Sequence, residues 1–164
     1  MYRIRTVQPF DHAAVVEIIN QAIRTGKQVA FLEEITIAAQ QPWFEAHQSP
    51  LHPLLVAEHE GRVIGWISLS SYRAGREALR RTVEVSYGVE AAMQRQGVGT
   101  TMLREMLTMA KGLGHRIVFA IVFDTNVATL ALLRKCGFEK WGHLPDVAEL
   151  NGRLIGHDYL GVKL

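Results

Sequence analysis

Apolar and polar residues alternate through Tyr2–Val7, the two-residue period of a strand with one buried face. From Asp11 the period changes. Val15, Ile18, Ile19, Ala22 and Ile23 recur at helical spacing, and Gly26 supplies a helix stop. Residues 27–36 read as a loop with an apolar centre at Val29, Phe31 and Leu32, and 37–47 as a weaker helix interrupted by Pro42. Strands are predicted over 54–60 and 62–71, turning at Glu60-Gly61. A polar loop follows over 72–81. Thr82–Val89 alternates again, with Val83, Val85, Tyr87 and Val89 on one face and Thr82, Glu84, Ser86 and Gly88 on the other.

A glycine-bearing turn then leads into a strong amphipathic helix, whose apolar side carries Met102, Leu103, Met106, Leu107 and Ala110 and which Gly112 and Gly114 close. Residues 116–123 are nearly all apolar, as in a strand buried on both faces. A helix over 126–136 stops at Gly137. Strands near 139–147 and 153–163 form a hairpin through Asn151-Gly152, a favoured type I′ pair. The order β-α-α-β-β-β-α-β-α-β-β predicts an α/β fold, a mixed and mostly antiparallel sheet covered by helices, in one domain spanning 1–164.

Composition narrows the class. A 164-residue chain that is 48% hydrophobic fills one domain and builds a real core. Its net charge of +2 is spread out, and the densest basic stretch, Arg73 to Arg81, is short and contains Glu77, so no nucleic-acid partner is expected. A single cysteine, Cys136, forbids an internal disulfide and points to a reducing compartment; a buried structural thiol is the simpler reading of it. Arg3 and Arg5 break any signal segment, and no apolar run approaches a membrane span, so a cytoplasmic protein with no membrane partner is expected. The seven histidines lack metal-ligand spacing, and no metal site is assigned.

The chemistry concentrates in Gln94-Arg95-Gln96-Gly97-Val98-Gly99-Thr100-Thr101, between a strand and a helix. Glycines without Cβ atoms, the unpaired N–H groups of a first helical turn and the helix dipole together suit a pyrophosphate. Thr100 and Thr101 add hydroxyls and Arg95 a charge. A tight turn shaped by two glycines is the alternative. A P-loop is excluded because no lysine follows Gly99, and a dinucleotide fingerprint lacks its third glycine, position 102 being Met102. Glu84 is a lone carboxylate on an otherwise apolar strand. It reads either as a proton acceptor in a desolvated cleft or as a surface or ion-paired residue.

Gln94-x-x-Gly97-x-Gly99 resembles the acetyl-CoA signature of the GCN5-related N-acetyltransferases (GNAT), and Asn126 with Gly137-Phe138 beyond it resembles that family's Asn…Gly-Phe segment. The likeness runs from Tyr2 to Leu164. Thr82-Val83-Glu84, Arg76, Trp43 and Gly65-Trp66 resemble the phosphinothricin acetyltransferase-like branch.

The resemblance implies a GNAT fold and acetyl transfer from acetyl-CoA to an amine, by direct attack and without an acyl-enzyme. It implies that Glu84 is the base and that residues 94–101 hold the cofactor. It also implies that backbone N–H groups around Tyr87–Val89 meet the acetyl carbonyl and that Asn126 bonds the cofactor arm, a role compatible with capping its helix. Arg73 or Arg76 would meet an acid group of an amino-acid-like acceptor, or else stay solvated. Phe31 and Trp43 would line the acceptor pocket, or else pack a core. The family commonly places Tyr or His seven residues after the asparagine; here that position is Leu133, which leaves Tyr87 or water to protonate the leaving thiolate. Leu79 likewise replaces a tyrosine common in the branch. A homodimer is expected through Ile155, Tyr159, Leu160 and Val162. Acetylation of a protein N-terminus or lysine, and a silent acetyl-CoA-binding regulator, are the competing functions.

Overall fold

The computed structural model describes residues 2–164. The elements are β1 (Arg3–Thr6), α1 (His12–Thr25), α2 (Ile37–Ala46), β2 (Leu54–His59), β3 (Arg62–Ser71), β4 (Thr82–Val89), α3 (Val98–Gly112), β5 (Ile117–Phe123), α4 (Val127–Lys135), β6 (Glu139–Leu150) and β7 (Arg153–Lys163). This is the order expected from the sequence. The strands form one seven-stranded sheet in the order β1-β2-β3-β4-β5-β7-β6. Every pairing is antiparallel except β4 with β5.

Two cores sandwich the sheet. On one face Val83, Val85, Met102, Leu103, Met106, Val118, Leu133 and Leu160 lock α3 and α4 down. On the other, Val15, Ile18, Ile19, Phe44, Leu54, Val56 and Trp66 hold α1 and α2. The entry to α1 is pinned electrostatically. Arg5 grips Asp11 with two guanidinium nitrogens at 2.6 and 2.9 Å and Glu58 with a third at 2.7 Å, while Asp11 also accepts the Gln8 amide.

Four local expectations change. Pro42 does not interrupt α2. The carbonyl that its missing N–H would have served is that of Ala38, which is exposed and free to bond water. β6 runs on to Leu150, because a bulge between Leu144 and Ala148 absorbs Pro145 and Asp146, the latter at φ 54°. The hairpin then turns on Asn151 and Gly152, at φ 53° and 74°, as a type I′ turn requires. β5 is sealed only on its α4 face, by Val118, Ala120 and Val122; Ile117, Phe119 and Ile121 are partly open on the other. Lastly, the β7 side chains expected at a dimer seam do not lie on an edge strand. β6 covers β7, Leu160 is in the core, and Ile155, Tyr159 and Val162 are at least partly buried, so the exposed apolar side chains of the hairpin are Trp141, Leu144, Val147 and Leu154.

Candidate active site

β4 and β5 separate in mid-sheet. Their pairing runs Thr82 with Ile117, Val83 with Val118 and Glu84 with Phe119, then stops. β4 meanwhile stays paired with β3 as far as Val89, and β5 with β7 as far as Phe123. Beyond Glu84 the two strands therefore diverge, and the β4 backbone from Val85 to Val89 has no strand partner on that side. Such an edge presents hydrogen-bonding groups to whatever enters the gap.

Glu84 stands at the fork. Its carboxylate is half-buried, with no hydrogen bond or ion pair to any described residue. Burial alone pushes its carboxyl above the usual carboxylate range, as a proton acceptor working near neutrality needs. It points to the α1/α2 side of the sheet, opposite Ser70 of β3. On that face Ser70 Oγ lies 3.2 Å from His47 Nε2. The Trp43 ring contacts those of His47, Phe44 and Trp66 at centroid distances of 4.7, 5.1 and 5.5 Å. Trp43 thus serves the second core and borders the site at once.

Tyr87 emerges on the other face of β4. Its ring packs beside Gly99, and its hydroxyl meets α4, where Thr129 hydrogen-bonds it. Burial pushes the phenol above its ordinary value, the Thr129 bond opposes that, and the neighbouring Cys136 adds to it. Thr129 and Cys136 flank Leu133 on one face of α4, four residues before it and three after. Leu133 itself is fully buried in the core. The phenol is thus carried by β4 to the stretch of α4 that includes position 133.

At the open end of the gap lies the loop before α3. Arg95 and Gly97 both have positive φ, 62° and 86°, which turns successive N–H groups toward one side. The side-chain amides of Gln94 and Gln96 fold back onto the carbonyls of Val89 and Ala92, at 3.3 and 3.0 Å, and brace the loop. Val98, Gly99 and Thr100 begin α3, where helix geometry leaves N–H groups free. A Cβ at Gly97 would meet nothing within 4 Å, so the space over it is open to a ligand. Gly99 has another reason to be glycine: a Cβ there would sit 2.9 Å from Leu132 of α4, so its bareness lets the helices approach. Thr101 is exposed and takes the Tyr2 hydroxyl at 2.8 Å. Asn126 caps α4, accepting the Thr129 amide at 3.2 Å, which leaves its side-chain N–H₂ free.

The acceptor-side candidates divide. Arg73 and Arg76 project from the β3–β4 loop, exposed and without an ion pair among the described residues. Phe31 is exposed on the α1–α2 loop and makes no ring contact with Trp43. Sequence reasoning missed Ser70, His47 and Thr129. The first two come to the Glu84 face of the sheet only through the β3–β4 register and the seating of α2, which no local pattern reveals.

The profile of the Acetyltransferase (GNAT) family matches residues 15–138. YwnH of Bacillus subtilis, provisionally named a phosphinothricin acetyltransferase, is 37% identical over 162 residues, covering 98% of each chain. The L-methionine sulfoximine/L-methionine sulfone acetyltransferase of Pseudomonas paraeruginosa is 30% identical over 164 residues, covering 98% of this chain and 94% of its own. Among solved structures, the acetyltransferase-type protein yncA of Salmonella typhimurium, determined with its cofactor acetyl-CoA, superposes with a TM-score of 0.93. It is 28% identical, and the match covers 100% of this chain and 94% of that one. A strand fork beside an anion-ready helix start, and relatives matched over nearly their whole length, lead to one assignment: this chain belongs to the GNAT family and is an acetyl-CoA-dependent N-acetyltransferase.

Proposed function

We propose that the enzyme acetylates the primary amine of a small, amino-acid-like acceptor by direct attack. Glu84 is the base, and residues 94–101 with Asn126 hold the acetyl-CoA. The observation that carries this reading is the placement of an unpartnered, half-buried carboxylate at the point where β4 leaves β5. Acetyl-CoA supplies the activated acyl group. The chain supplies the rest. Free N–H groups of the β4 edge around Tyr87–Val89 stabilise charge developing on the thioester oxygen. Glu84 takes a proton from the amine as the N–C bond forms and the C–S bond breaks. Tyr87, on the opposite sheet face, gives its phenolic proton to the departing thiolate. The two proton-transfer groups stand on opposite faces of the sheet, both on the β4 wall of the gap, which suits an amine arriving on one face and a thiol leaving on the other.

Arg73 and Arg76 suit an acceptor carboxylate, since neither guanidinium has an ion pair or side-chain hydrogen bond among the described residues. The relatives' names, phosphinothricin and methionine sulfoximine or sulfone, favour the same class. Thiol release at saturating acetyl-CoA, run across amino acids, their sulfoximine, sulfone and phosphinic analogues, simple amines and an N-terminal peptide, tests it. Turnover with the amino-acid-like set supports the reading, and turnover with the peptide alone overturns it. A cytoplasmic homodimer completes the proposal. No described helix is long and apolar enough to cross a membrane, and the exposed Trp141, Leu144 and Val147 of edge strand β6 offer a face for a second copy.

A further inference from the structure

The two helical cores leave one stretch of the sheet uncovered. On the α1/α2 side the packed core ends at β2 and β3, whose buried members are Leu54, Val56 and Trp66. Farther across, β5 and β7 turn Phe119, Ile121 and Tyr159 to this same side, because Phe119 is in register with Glu84 and Ile121 with Tyr159. All three are only half-buried, and none joins either core. Tyr72, the residue that follows β3, lays its ring on Phe119 at a centroid distance of 4.9 Å. Trp141 of β6 backs Phe119 edge to face at 5.4 Å. It can do so because Gly161 lacks a Cβ, which would strike the indole. The result is an apolar floor, partly open to water, that begins at the strand position beside Glu84.

Apolar area left facing water is unfavourable, and a continuous patch of it marks a place where something binds. The position of the floor says what. An amine delivered to Glu84 arrives on this face, and the exposed Arg73, one residue after Tyr72, stands at the loop end of the floor where an acceptor carboxylate would meet it. A side chain on the same acceptor is then left to lie on the floor. We propose that Tyr72, Phe119, Ile121 and Tyr159 hold the acceptor's side chain, and that the preferred acceptors are amino acids with a long, uncharged, apolar side chain of the norleucine kind. The proposal rests on the reading of the acceptor as amino-acid-like and of Glu84 as its base.

A side chain that ends in an anion, as that of phosphinothricin does, fits this floor less well. Glu139, in register with Gly161, borders it on the β6 side and is itself an anion. Lys163, in register with Ile117, is exposed at the end of β7. An anion laid over Phe119 and Ile121 would give up water there without gaining an ion pair, which burial penalises far more than it penalises a methyl group.

Two measurements test it. The first is kcat/KM at saturating acetyl-CoA for L-alanine, L-norvaline, L-norleucine and L-phosphinothricin. A fully covered methylene is worth about fourfold, so over the chain that separates alanine from norleucine a half-open floor should give at least about tenfold. Norleucine should also exceed phosphinothricin by roughly tenfold or more. Tyr72→Ala should bring the norleucine-to-alanine ratio toward one. The second measurement reads binding without turnover, in Glu84→Gln. The ring signals of Tyr72 and Tyr159, assigned by their loss in Tyr72→Phe and Tyr159→Phe, should shift in NMR spectra when L-norleucine is added. A flat series in the wild type, a preference for phosphinothricin, or an unchanged ratio in a folded Tyr72→Ala overturns the floor while amino-acid acetylation stands. Turnover with a peptide alone overturns the acceptor reading instead. The ring signals then decide the floor by themselves, whether or not Tyr72→Ala folds: a shift with norleucine supports it, and signals that stay in place refute it. Signals that shift on dilution of the protein and not with norleucine put a second copy on the floor, and they refute it as well.

Discussion

Replacing Glu84 with Gln should move two observables in opposite directions. The side chain keeps its size and its place at the β4–β5 fork, so acetyl-CoA, proposed to bind at the loop before α3, should bind unchanged by calorimetry. What is lost is the site that, on the proposed reading, takes the amine proton. A positioned base contributes roughly 10²–10⁴ in rate, about 3–5 kcal/mol of the barrier, and turnover at neutral pH should fall by that factor. Stability should rise. The Glu84 carboxyl is held above its ordinary value by burial, with no partner among the described residues to compensate. Its ionised form is therefore disfavoured in the folded state, a penalty fully present above the folded pKa that disappears once pH drops below the unfolded value. Gln carries no such charge, so its thermal midpoint should exceed the wild type's at neutral pH and converge on it in acid. Thiol release with cofactor saturating, set beside melting curves across pH, reads both. Full activity under conditions where chemistry limits turnover would remove Glu84 from the mechanism. A variant less stable at neutral pH would mean that the carboxylate has a partner in solution.

Gly97→Val forces a β-branched residue to φ 86° and fills the open space over the loop, so acetyl-CoA affinity should collapse; wild-type affinity by calorimetric titration would sink the loop assignment. Tyr87→Phe should lower turnover more than Leu133→Met, which should cost less than about tenfold in rate and about 1.5 kcal/mol or less in stability as a volume-conserving swap; steady-state rates of both across pH decide whether the phenol or water protonates the thiolate. Arg5→Met leaves Asp11 buried and unpaired, at a cost of about 3 kcal/mol by denaturant titration. Burial pushes the Asp11 carboxyl up, but the Arg5 and Gln8 bonds outweigh it and hold it below the usual value. The stability that this depressed pKa confers is present above the unfolded value and lost as pH falls through the folded one, so the difference between variant and wild type should shrink in acid.

Much of the fold was legible because its elements carry single, strong periods. The 3.6-residue stripe of α1 and the alternation of β4 each met a core that rewarded that pattern. Where reading failed, the cause was water or register. Pro42 breaks helices whose freed carbonyl is buried, and at Ala38 it is not. The β6 bulge at Pro145-Asp146 depends on pairing with a strand that follows it in the chain. β5 looked buried twice over because its sequence is apolar throughout, yet the face beside Phe119 opens where β4 turns away.

The candidate site divides along the same line. The loop before α3 could be read because its demands are local: positive φ at Gly97 and unpaired N–H groups in a first turn are properties of a few consecutive residues. The alternation of β4 put Glu84 and Tyr87 on opposite faces, but it could not say what each face meets. That depends on α2 laying His47 against Ser70, and on α4 bringing Thr129 to the phenol. Leu133 shows the consequence. Read along the chain, it marks an acid missing from α4. Seen across the gap, it is a core residue between Thr129 and Cys136, and the hydroxyl that α4 lacks arrives from β4 at the same helix face. A group needed at a point in space can be supplied by either wall of a cleft, and only the packing of the two walls tells which one supplies it.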